Sequence, residues 1–230
     1  MRRTGTILPL LLLFLAMNWQ ATAGSSLVLS PGQIGTFVDP VQPASQNWRV
    51  EFQMHDWTMP VVNTLTARVA LMDGTGLYVA LNMDLIWILN NRDGSQCLLS
   101  LSGRTNVLLR IQRNPAALRM NCEIWNYDGS GYQQTSDVIQ HSVATIYSGG
   151  QLGSALTVAR LAYFRMFDTL LLDGTRPAPN ATGNMVNFTF ENNLTDTSGL
   201  GRNITLAGAQ FASTPNQTLP FIPKAEFFLQ

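Results

Sequence analysis

The chain has 230 residues, of which 46% are hydrophobic and 12% are charged, and its fourteen basic side chains balance fourteen acidic ones. This composition is typical of a chain that buries a core, and it argues against intrinsic disorder. Without a basic surplus the chain lacks the electrostatic footprint that binding to nucleic acid or to anionic lipid requires. We therefore expect neither of these partners.

The N-terminal segment has the pattern of a secretory signal peptide. Two arginines precede an apolar run over residues 7–17, and the small-residue stretch Ala-Thr-Ala follows at residues 21–23. The run is too short to cross a bilayer about 30 Å thick. We predict a signal peptide over residues 1–23, cleavage before Gly24, export to an extracellular location by the general secretory route, and no membrane insertion after cleavage. Loss of the two arginines leaves a net charge of −2 on the mature chain.

Strand patterns follow one another from residue 25 to about residue 170. Over residues 49–55, Val50, Phe52 and Met54 alternate with polar residues, which is the period of a strand with one apolar face. No stretch in this region has an apolar stripe of helical period. Further strands are predicted at residues 64–71, 77–83, 85–89, 97–101, 107–112, 118–125 and 156–167.

The connections between these strands carry turn residues. Asp-Gly pairs occur at residues 73–74, 93–94, 128–129 and 173–174, and such pairs tolerate the positive φ angles of tight hairpins. Short connections without helices predict antiparallel strands, and each sheet must bury its apolar face against another layer. The expected fold is all-β, a two-sheet antiparallel β-sandwich.

The composition changes after residue 173, where prolines, glycine and asparagines become frequent. We predict a sandwich domain over residues 24–176, a linker over residues 177–184, and a C-terminal segment over residues 185–230. This last segment is too small to bury a core alone. We expect it either to dock on the sandwich as a short β-rich appendage or to begin a second module that the sequence does not finish.

Several apolar and aromatic stretches form a recognisable pattern, at residues 48–54 (WRVEFQM), 108–113, 120–129 and 159–165 (ARLAYFR). They resemble the opening strand, a late hairpin and the closing strand of laminin-G-like and concanavalin-A-like jelly-roll domains, which belong to the lectin/glucanase superfamily. Residues 188–206 also resemble the first strands of another such module. The resemblance covers about residues 25–176, and it implies a jelly roll that recognises carbohydrate. It bears on fold more directly than on activity.

The arrangement of carboxylates argues against catalysis. Glycosidases of this architecture place two carboxylates about two residues apart on one face of a strand. Glu51 and Asp56 lie five residues apart, as do Glu191 and Asp196, so neither pair shares a face of a regular strand. No serine lies in a Gly-x-Ser-x-Gly elbow, and the two histidines are far apart in the sequence. The sequence therefore predicts a protein that is not an enzyme.

The resemblance also implies Ca²⁺ as a candidate cofactor, held by loop carboxylates and backbone carbonyls. Asp73 and Asp128 are the candidate ligands, because both lie at predicted strand ends. Each also belongs to an Asp-Gly pair, where the simpler interpretation is a turn-forming residue.

Aromatic rings on a protein surface can stack against the apolar face of a sugar. Trp125, Trp57 and Tyr132 are the candidate contact residues. Trp125 alternates with the apolar positions of its predicted strand, so we expect its ring to face outward. A single exposed aromatic residue on a sheet is also common, and the alternative is that it has no role in binding.

The two cysteines, Cys97 and Cys122, could form a disulfide in an exported chain. The strands predicted for them have another strand between them, and two strand spacings of about 4.8 Å exceed the usual Cα separation across a disulfide. A disulfide is therefore expected only if the two strands belong to opposite sheets. The alternative is a pair of buried, small apolar side chains.

The sequence favours a secreted, non-catalytic recognition or adhesion module that binds carbohydrate or another extracellular polymer. One alternative is a structural spacer domain of a larger extracellular protein, without a small ligand. Another is a glycoside hydrolase of the same fold, which would need two carboxylates about 5 to 10 Å apart in a groove. A cluster of outward aromatic residues would favour binding, and a face without one would favour the spacer.

Overall fold

The structure, a computed structural model, describes residues 24–41, 47–58, 69–74, 77–82, 84–90, 94–139, 147–154, 156–178 and 181–214. In these ranges every regular element is a β-strand, and no helix there is long and apolar enough to cross a membrane. The predicted signal peptide lies outside the described residues, as does the first part of the strand predicted at residues 64–71.

Fourteen strands are formed by the described residues. They are β1 (Ser25–Leu29), β2 (Gly35–Val41), β3 (Trp48–His55), β4 (Val69–Gly74), β5 (Leu77–Asn82), β6 (Leu85–Asn90), β7 (Gln96–Ser100), β8 (Asn106–Asn114), β9 (Arg119–Asn126), β10 (Gln133–Val138), β11 (Tyr147–Leu152), β12 (Ala159–Phe167), β13 (Val186–Phe188) and β14 (Gln210–Ser213). The strands are short and follow one another closely, as the turn residues predict.

The strands form two antiparallel sheets. The larger sheet has the order β10-β9-β8-β3-β12-β1-β14, with β13 paired to β12. The smaller sheet has the order β2-β11-β4-β5-β6-β7. Strands of both sheets contribute to one hydrophobic core, so the predicted all-β two-sheet sandwich is confirmed.

Alternate residues of the central strands face this core. In β3, Val50, Phe52 and Met54 are buried in it, as a period of two residues predicts. Phe52 stacks on Phe164 of β12, which in turn stacks on Phe188 of β13. Burying a side chain of this size contributes roughly 1.5 to 3 kcal/mol to folding.

The opposite face of the larger sheet is buried on its central strands, although the alternating pattern led us to expect an exposed one. Arg49 and Glu51 point to this outer face from β3, and both are buried. The segment that follows β12, residues 168–178, crosses the face, and we call it the strap. Arg49 Nη1 donates a hydrogen bond to the carbonyl of Thr169 in the strap, at 3.2 Å. Polar side chains on the outer face are therefore covered by a segment distant from them in sequence.

The C-terminal region, where described, belongs to the same sandwich. β13 pairs with β12 and β14 pairs with β1, so both strands extend the larger sheet. Phe188 and Phe190 are fully buried in the core. Thr205 also forms a β-bridge with Thr36. Residues 181–214 therefore share the core of the preceding strands.

Replacing Gly183 by alanine is expected to destabilise the sandwich. A Cβ atom added at Gly183 would lie 2.0 Å from the carbonyl oxygen of Val186 and 2.9 Å from that of Met166. Backbone atoms cannot move aside as a flexible side chain can. We expect Gly183→Ala to lower the free energy of unfolding by about 2 to 4 kcal/mol, measured by urea denaturation.

The matched control is Gly199→Ala. A Cβ atom there meets nothing within 4 Å, and only the positive φ of 90° is strained. We expect a loss of about 1 kcal/mol. Equal losses in the two variants would contradict a steric role for Gly183.

Candidate functional site

A groove of about 750 Å³ lies on the outer face of the larger sheet, beside the strap. Outward-facing side chains of β8 and β9 form its floor, and the strap forms one wall. Gln112 lies opposite Asn121 in the register of these strands, and Asn114 lies opposite Arg119. The lining residues are Gln112, Asn114, Ala117, Arg119, Asn121, Leu170, Leu171, Leu172 and Asp173.

Asp173 connects the wall of the groove to its floor. Its Oδ1 accepts a hydrogen bond from Asn121 Nδ2 at 2.7 Å, and its Oδ2 lies 3.1 Å from Arg119 Nη1. Gln134 of β10 donates from Nε2 to Asp173 Oδ2 at 3.1 Å and to Asn121 Oδ1 at 2.8 Å. These polar side chains orient one another, so they have little freedom left to lose when a ligand binds.

Apolar and aromatic groups lie beside this polar array. Leu171 and Leu172 of the strap are 38% and 83% exposed, and Tyr132 is 44% exposed. The Tyr132 hydroxyl donates to Glu123 Oε1 at 2.9 Å and lies 3.0 Å from Gln134 Oε1. Desolvation and the hydrogen bond to Glu123 raise the pKa of Tyr132 to about 12. The ring therefore carries a neutral hydroxyl at physiological pH.

A buried ion pair anchors the strap. Arg110 of β8 and Glu123 of β9 are cross-strand neighbours, both fully buried, and Arg110 Nε lies 2.7 Å from Glu123 Oε2. Arg110 also donates to the strap carbonyls of Leu172, at 3.0 Å, and Thr175. Glu123 Oε1 accepts a hydrogen bond from the backbone N–H of Gly174. Both members of the pair therefore bind the strap directly.

Trp125 lies on the predicted face of β9, but its ring is not exposed. It packs with Leu108 and Tyr163 in a small buried cluster on the outer face. The Tyr132 ring lies 5.2 Å from it, and the Arg110 guanidinium lies 5.3 Å from it. The expectation of an exposed Trp125 is wrong, because these neighbours leave only 3% of the residue accessible.

The other two predicted aromatic residues occupy different places. Trp57 is half-buried against the core, beyond the end of β3 at His55. The groove lies near the opposite end of the sheet, since Gln112 pairs with Arg49 at the start of β3. Of the three candidates, Tyr132 has an exposed ring, and it is connected to the groove through Gln134, although it is not one of the lining residues.

Of the two predicted calcium ligands, Asp128 has a role within its own turn. Asp128 Oδ1 accepts the backbone N–H of Ser130 at 2.8 Å, within its own turn. Hydrogen bonds from Ser130 hold the pKa of Asp128 below its ordinary value. Asp73 lies in β4, and its side chain is outside the described atoms. No group of three or more His, Cys, Asp or Glu side chains among the described residues could hold a metal ion. The assignment of Asp73 as a calcium ligand stays a prediction.

The two cysteines lie on opposite sheets. Cys97 is on β7 of the smaller sheet and Cys122 is on β9 of the larger sheet, and both are buried free thiols. The geometric objection to a disulfide, which assumed an intervening strand in one sheet, therefore does not apply.

A second polar cluster was not identified from the sequence. Ser26 Oγ lies 2.8 Å from His55 Nε2, and His55 Nδ1 lies 3.2 Å from Asp56 Oδ2. These groups have the order of a serine hydrolase triad. However, Ser26 and His55 are fully buried, and Ser26 Oγ is also 2.7 Å from Thr214 Oγ1. We interpret the cluster as a polar link between β1, β3 and the residue that follows β14.

His55 is expected to make stability depend on pH. Desolvation lowers the pKa of His55 below its ordinary value of 6.5, against the opposing effect of Asp56 and with a smaller lowering effect of Arg160. The unfolded chain therefore takes up a proton at a higher pH than the folded chain does, and stability falls as the pH falls below about 6.5. Urea denaturation at pH 7 and pH 5 should show this loss in the wild type.

The control is His55→Gln, which keeps a hydrogen-bonding side chain but cannot be protonated. The difference in unfolding free energy between pH 7 and pH 5 should be smaller in this variant than in the wild type. An unchanged difference would assign the pH dependence to other groups.

The residues of the groove were not identified from the sequence, although the polar residues at outward strand positions indicated them. Gln112, Asn121 and Gln134 occupy outward positions of three consecutive strands of the larger sheet. These three uncharged amide side chains share one face of the sheet, and amides can hydrogen-bond to a segment that covers such a face. Asp173 was recognised only as part of an Asp-Gly turn.

No protein-family model and no curated protein sequence matches the chain. Its fold is similar to a solved structure from Bacteroides ovatus, of a protein provisionally described as carbohydrate-binding, with a TM-score of 0.58 and 9% sequence identity. This match covers 83% of the present chain and 60% of the other one. The chain thus spans about three fifths of the length of that protein.

Weaker structural similarities have TM-scores below 0.5. The LG1-3 region of the laminin α2 chain gives 0.45 with 9% identity, over 68% of this chain and 33% of that one. The exoplasmic/lumenal domain of VIP36, in its Ca²⁺/Man3GlcNAc-bound form, gives 0.42 with 12% identity, over 64% of this chain and 80% of that one. From its sheet order and its similarity to the Bacteroides ovatus protein, the chain has a two-sheet antiparallel β-sandwich fold of the jelly-roll kind.

Proposed function

We propose that this protein is an exported, non-catalytic recognition module that binds carbohydrate in the groove beside the strap. The observation that carries the proposal is the fixed polar array of Asp173, Asn121, Arg119 and Gln134, with exposed apolar side chains next to it. The structural similarity to a Bacteroides ovatus protein provisionally described as carbohydrate-binding supports the same class of ligand.

The chemistry of the groove suits a sugar. Sugar hydroxyls both donate and accept hydrogen bonds, and the groove offers amide, guanidinium and carboxylate groups that do the same. Sugar rings also have an apolar face, for which Leu171, Leu172 and the Tyr132 ring provide contact surfaces. The positive charge of Arg119 and the negative charge of Asp173 compensate each other, and this favours a neutral sugar over a strongly charged one.

The carboxylates near the groove are not arranged for glycoside hydrolysis. Asp173 is the one carboxylate among the described lining residues, and both of its oxygens accept hydrogen bonds. Glu123 is fully buried and paired with Arg110. A glycosidase needs one carboxylic acid and one free carboxylate on either side of the scissile bond. This argues for binding without cleavage.

The spacer alternative is favoured by a different observation. The centre of the outer face carries Trp125 and Tyr163, but both rings are buried and cannot serve as a stacking platform. Among the described residues, an open groove lies on the part of this face beside the strap. A test of binding therefore has to separate the two functions.

The experiment is a binding assay of the chain from Gly24 to Gln230 on a glycan and polysaccharide array, with Ca²⁺ and with EDTA. We expect saturable binding that EDTA does not remove. Asn121→Ala should weaken binding about tenfold or more, which corresponds to the loss of about 1.4 kcal/mol.

A matched pair of leucine variants tests the apolar wall. Leu172→Ala should weaken binding, whereas Leu156→Ala, 70% exposed and located just before β12 at the opposite end of the sheet, should not. The absence of binding to all probes by a folded sample would instead support the spacer function.

A further inference from the structure

Two buried thiols from opposite sheets meet at one edge of the sandwich. Cys97 belongs to β7, the edge strand of the smaller sheet, and Cys122 belongs to β9, next to the edge strand of the larger sheet. Both side chains are part of the core, and Cys97 is, after burial, one of the causes that raise the pKa of the Cys122 thiol. Both cysteines are free thiols, without a bond between their sulfur atoms.

The register of the backbone gives independent support for the proximity of the two thiols. Cys97 Sγ donates a hydrogen bond to the carbonyl of Thr135 in β10, at 3.8 Å. Thr135 is the cross-strand partner of Cys122 in the pairing of β10 with β9. Directly opposed residues in an antiparallel pair have Cα atoms about 4.5 to 5.5 Å apart. Cys97 therefore contacts the residue of the larger sheet that lies directly beside Cys122.

This edge is closed by side chains, because β7 and β10 are not joined by a backbone ladder. Asp137 Oδ2 accepts the backbone N–H of Gln96 at 2.8 Å, and Gln133 Oε1 accepts that of Ser100 at 3.1 Å. These two contacts lie on either side of Cys97 along β7. They hold the strand against the larger sheet, so joining the sulfur atoms requires no large movement of the backbone.

We propose that Cys97 and Cys122 form a disulfide that links the two sheets of the exported protein. The thiolate of one cysteine attacks a disulfide donor and displaces one donor thiol, which gives a mixed disulfide. The second cysteine then attacks the bonded protein sulfur and releases the other donor thiol. The protein loses two electrons and two protons, and the donor disulfide gains both. This inference uses the export that the proposed function assumes, but not its ligand.

Burial determines when the bond can form. Burial raises the pKa of the Cys122 thiol, so the reactive thiolate is scarce in the folded chain. A donor also cannot reach either sulfur while the edge is closed. Oxidation therefore takes place before the sheets close or during local opening. With oxidised glutathione as donor, the reduced protein should react slowly when folded and rapidly in urea.

The first measurement is the mass of the full chain after export into an oxidising compartment, denaturation without reductant, and treatment with an alkylating agent. We expect no alkylation and a mass lower by two hydrogen atoms than that of the reduced chain. A peptide pair containing Cys97 and Cys122 should appear on proteolysis. Uptake of two alkyl groups by the exported chain would overturn the proposal.

The second measurement is the effect of reductant on thermal unfolding. A bond across a loop of this length should raise the Tm by roughly 7 to 10 °C, and reductant should remove this increase. Cys97→Ala and Cys122→Ala should show no effect of reductant, which separates the bond from the packing of the thiols. An unchanged Tm of the wild type on reduction would also overturn the proposal. Carbohydrate binding by the reduced protein tests the groove separately.

Discussion

A chain that ends after Arg176 is expected to lose its cooperative fold. Such a chain lacks β13 and β14, and with them the buried side chains of Val186, Phe188 and Phe190. Truncating one buried phenylalanine to alanine typically costs about 3 to 5 kcal/mol, whereas a whole domain is stable by about 5 to 15 kcal/mol. The free energy lost with two buried phenylalanines and two strands therefore exceeds the stability expected of the remaining sandwich.

The measurement compares residues 24–176 with residues 24–214 and 24–230 by urea denaturation and size exclusion. The two longer chains should unfold cooperatively, and the shortest should aggregate or unfold without a transition. As point variants, Phe188→Ala should cost about 3 to 5 kcal/mol, and the exposed Leu200→Ala less than about 0.5 kcal/mol. Cooperative unfolding of residues 24–176 would show that the C-terminal strands are dispensable.

Arg110→Ala is expected to lower the free energy of unfolding by about 3 to 5 kcal/mol. The reason is that Glu123 would remain buried without its counter-charge, and the strap carbonyls of Leu172 and Thr175 would lose their donor. Since the strap forms one wall of the groove, carbohydrate binding should be lost together with stability. Urea denaturation and the glycan array measure the two effects.

Arg119→Ala is the matched control, because Arg119 forms a partly exposed ion pair with Asp173 on the same face. An exposed pair contributes about 0 to 1 kcal/mol, so this variant should remain stable while binding weakens. Similar stability losses in the two variants would contradict the anchoring role of the Arg110 pair.

The sequence predicted those features that depend on local periodicity. Val50, Phe52 and Met54 were assigned to the core because a strand returns to the same face every second residue, and they are buried there. Trp125 was assigned to the correct face by the same argument. Its exposure was predicted wrongly, because exposure depends on the strap and on Tyr132, which reach the face through contacts that local periodicity does not reveal.

The groove could not be predicted for the same physical reason. Asp173 meets Asn121 and Arg119 only because the chain turns back across the sheet after β12. Arg110 and Glu123 are adjacent only through the register of β8 and β9. Each of these residues is visible in the sequence as a polar position, but their combination is a property of the tertiary structure.

The position of β1 in the larger sheet has a consequence for how the chain folds. β1 lies between β12 and β14, so that Leu27 pairs with Leu161 and Ser25 pairs with Ser213. The first of the described strands therefore has no partner until β12 has been synthesised, and its second partner, β14, follows later still. Pairings this distant along the chain slow folding. Under the export that we propose, this late pairing would keep the larger sheet open during synthesis, and an unfolded chain can pass through a narrow translocation channel.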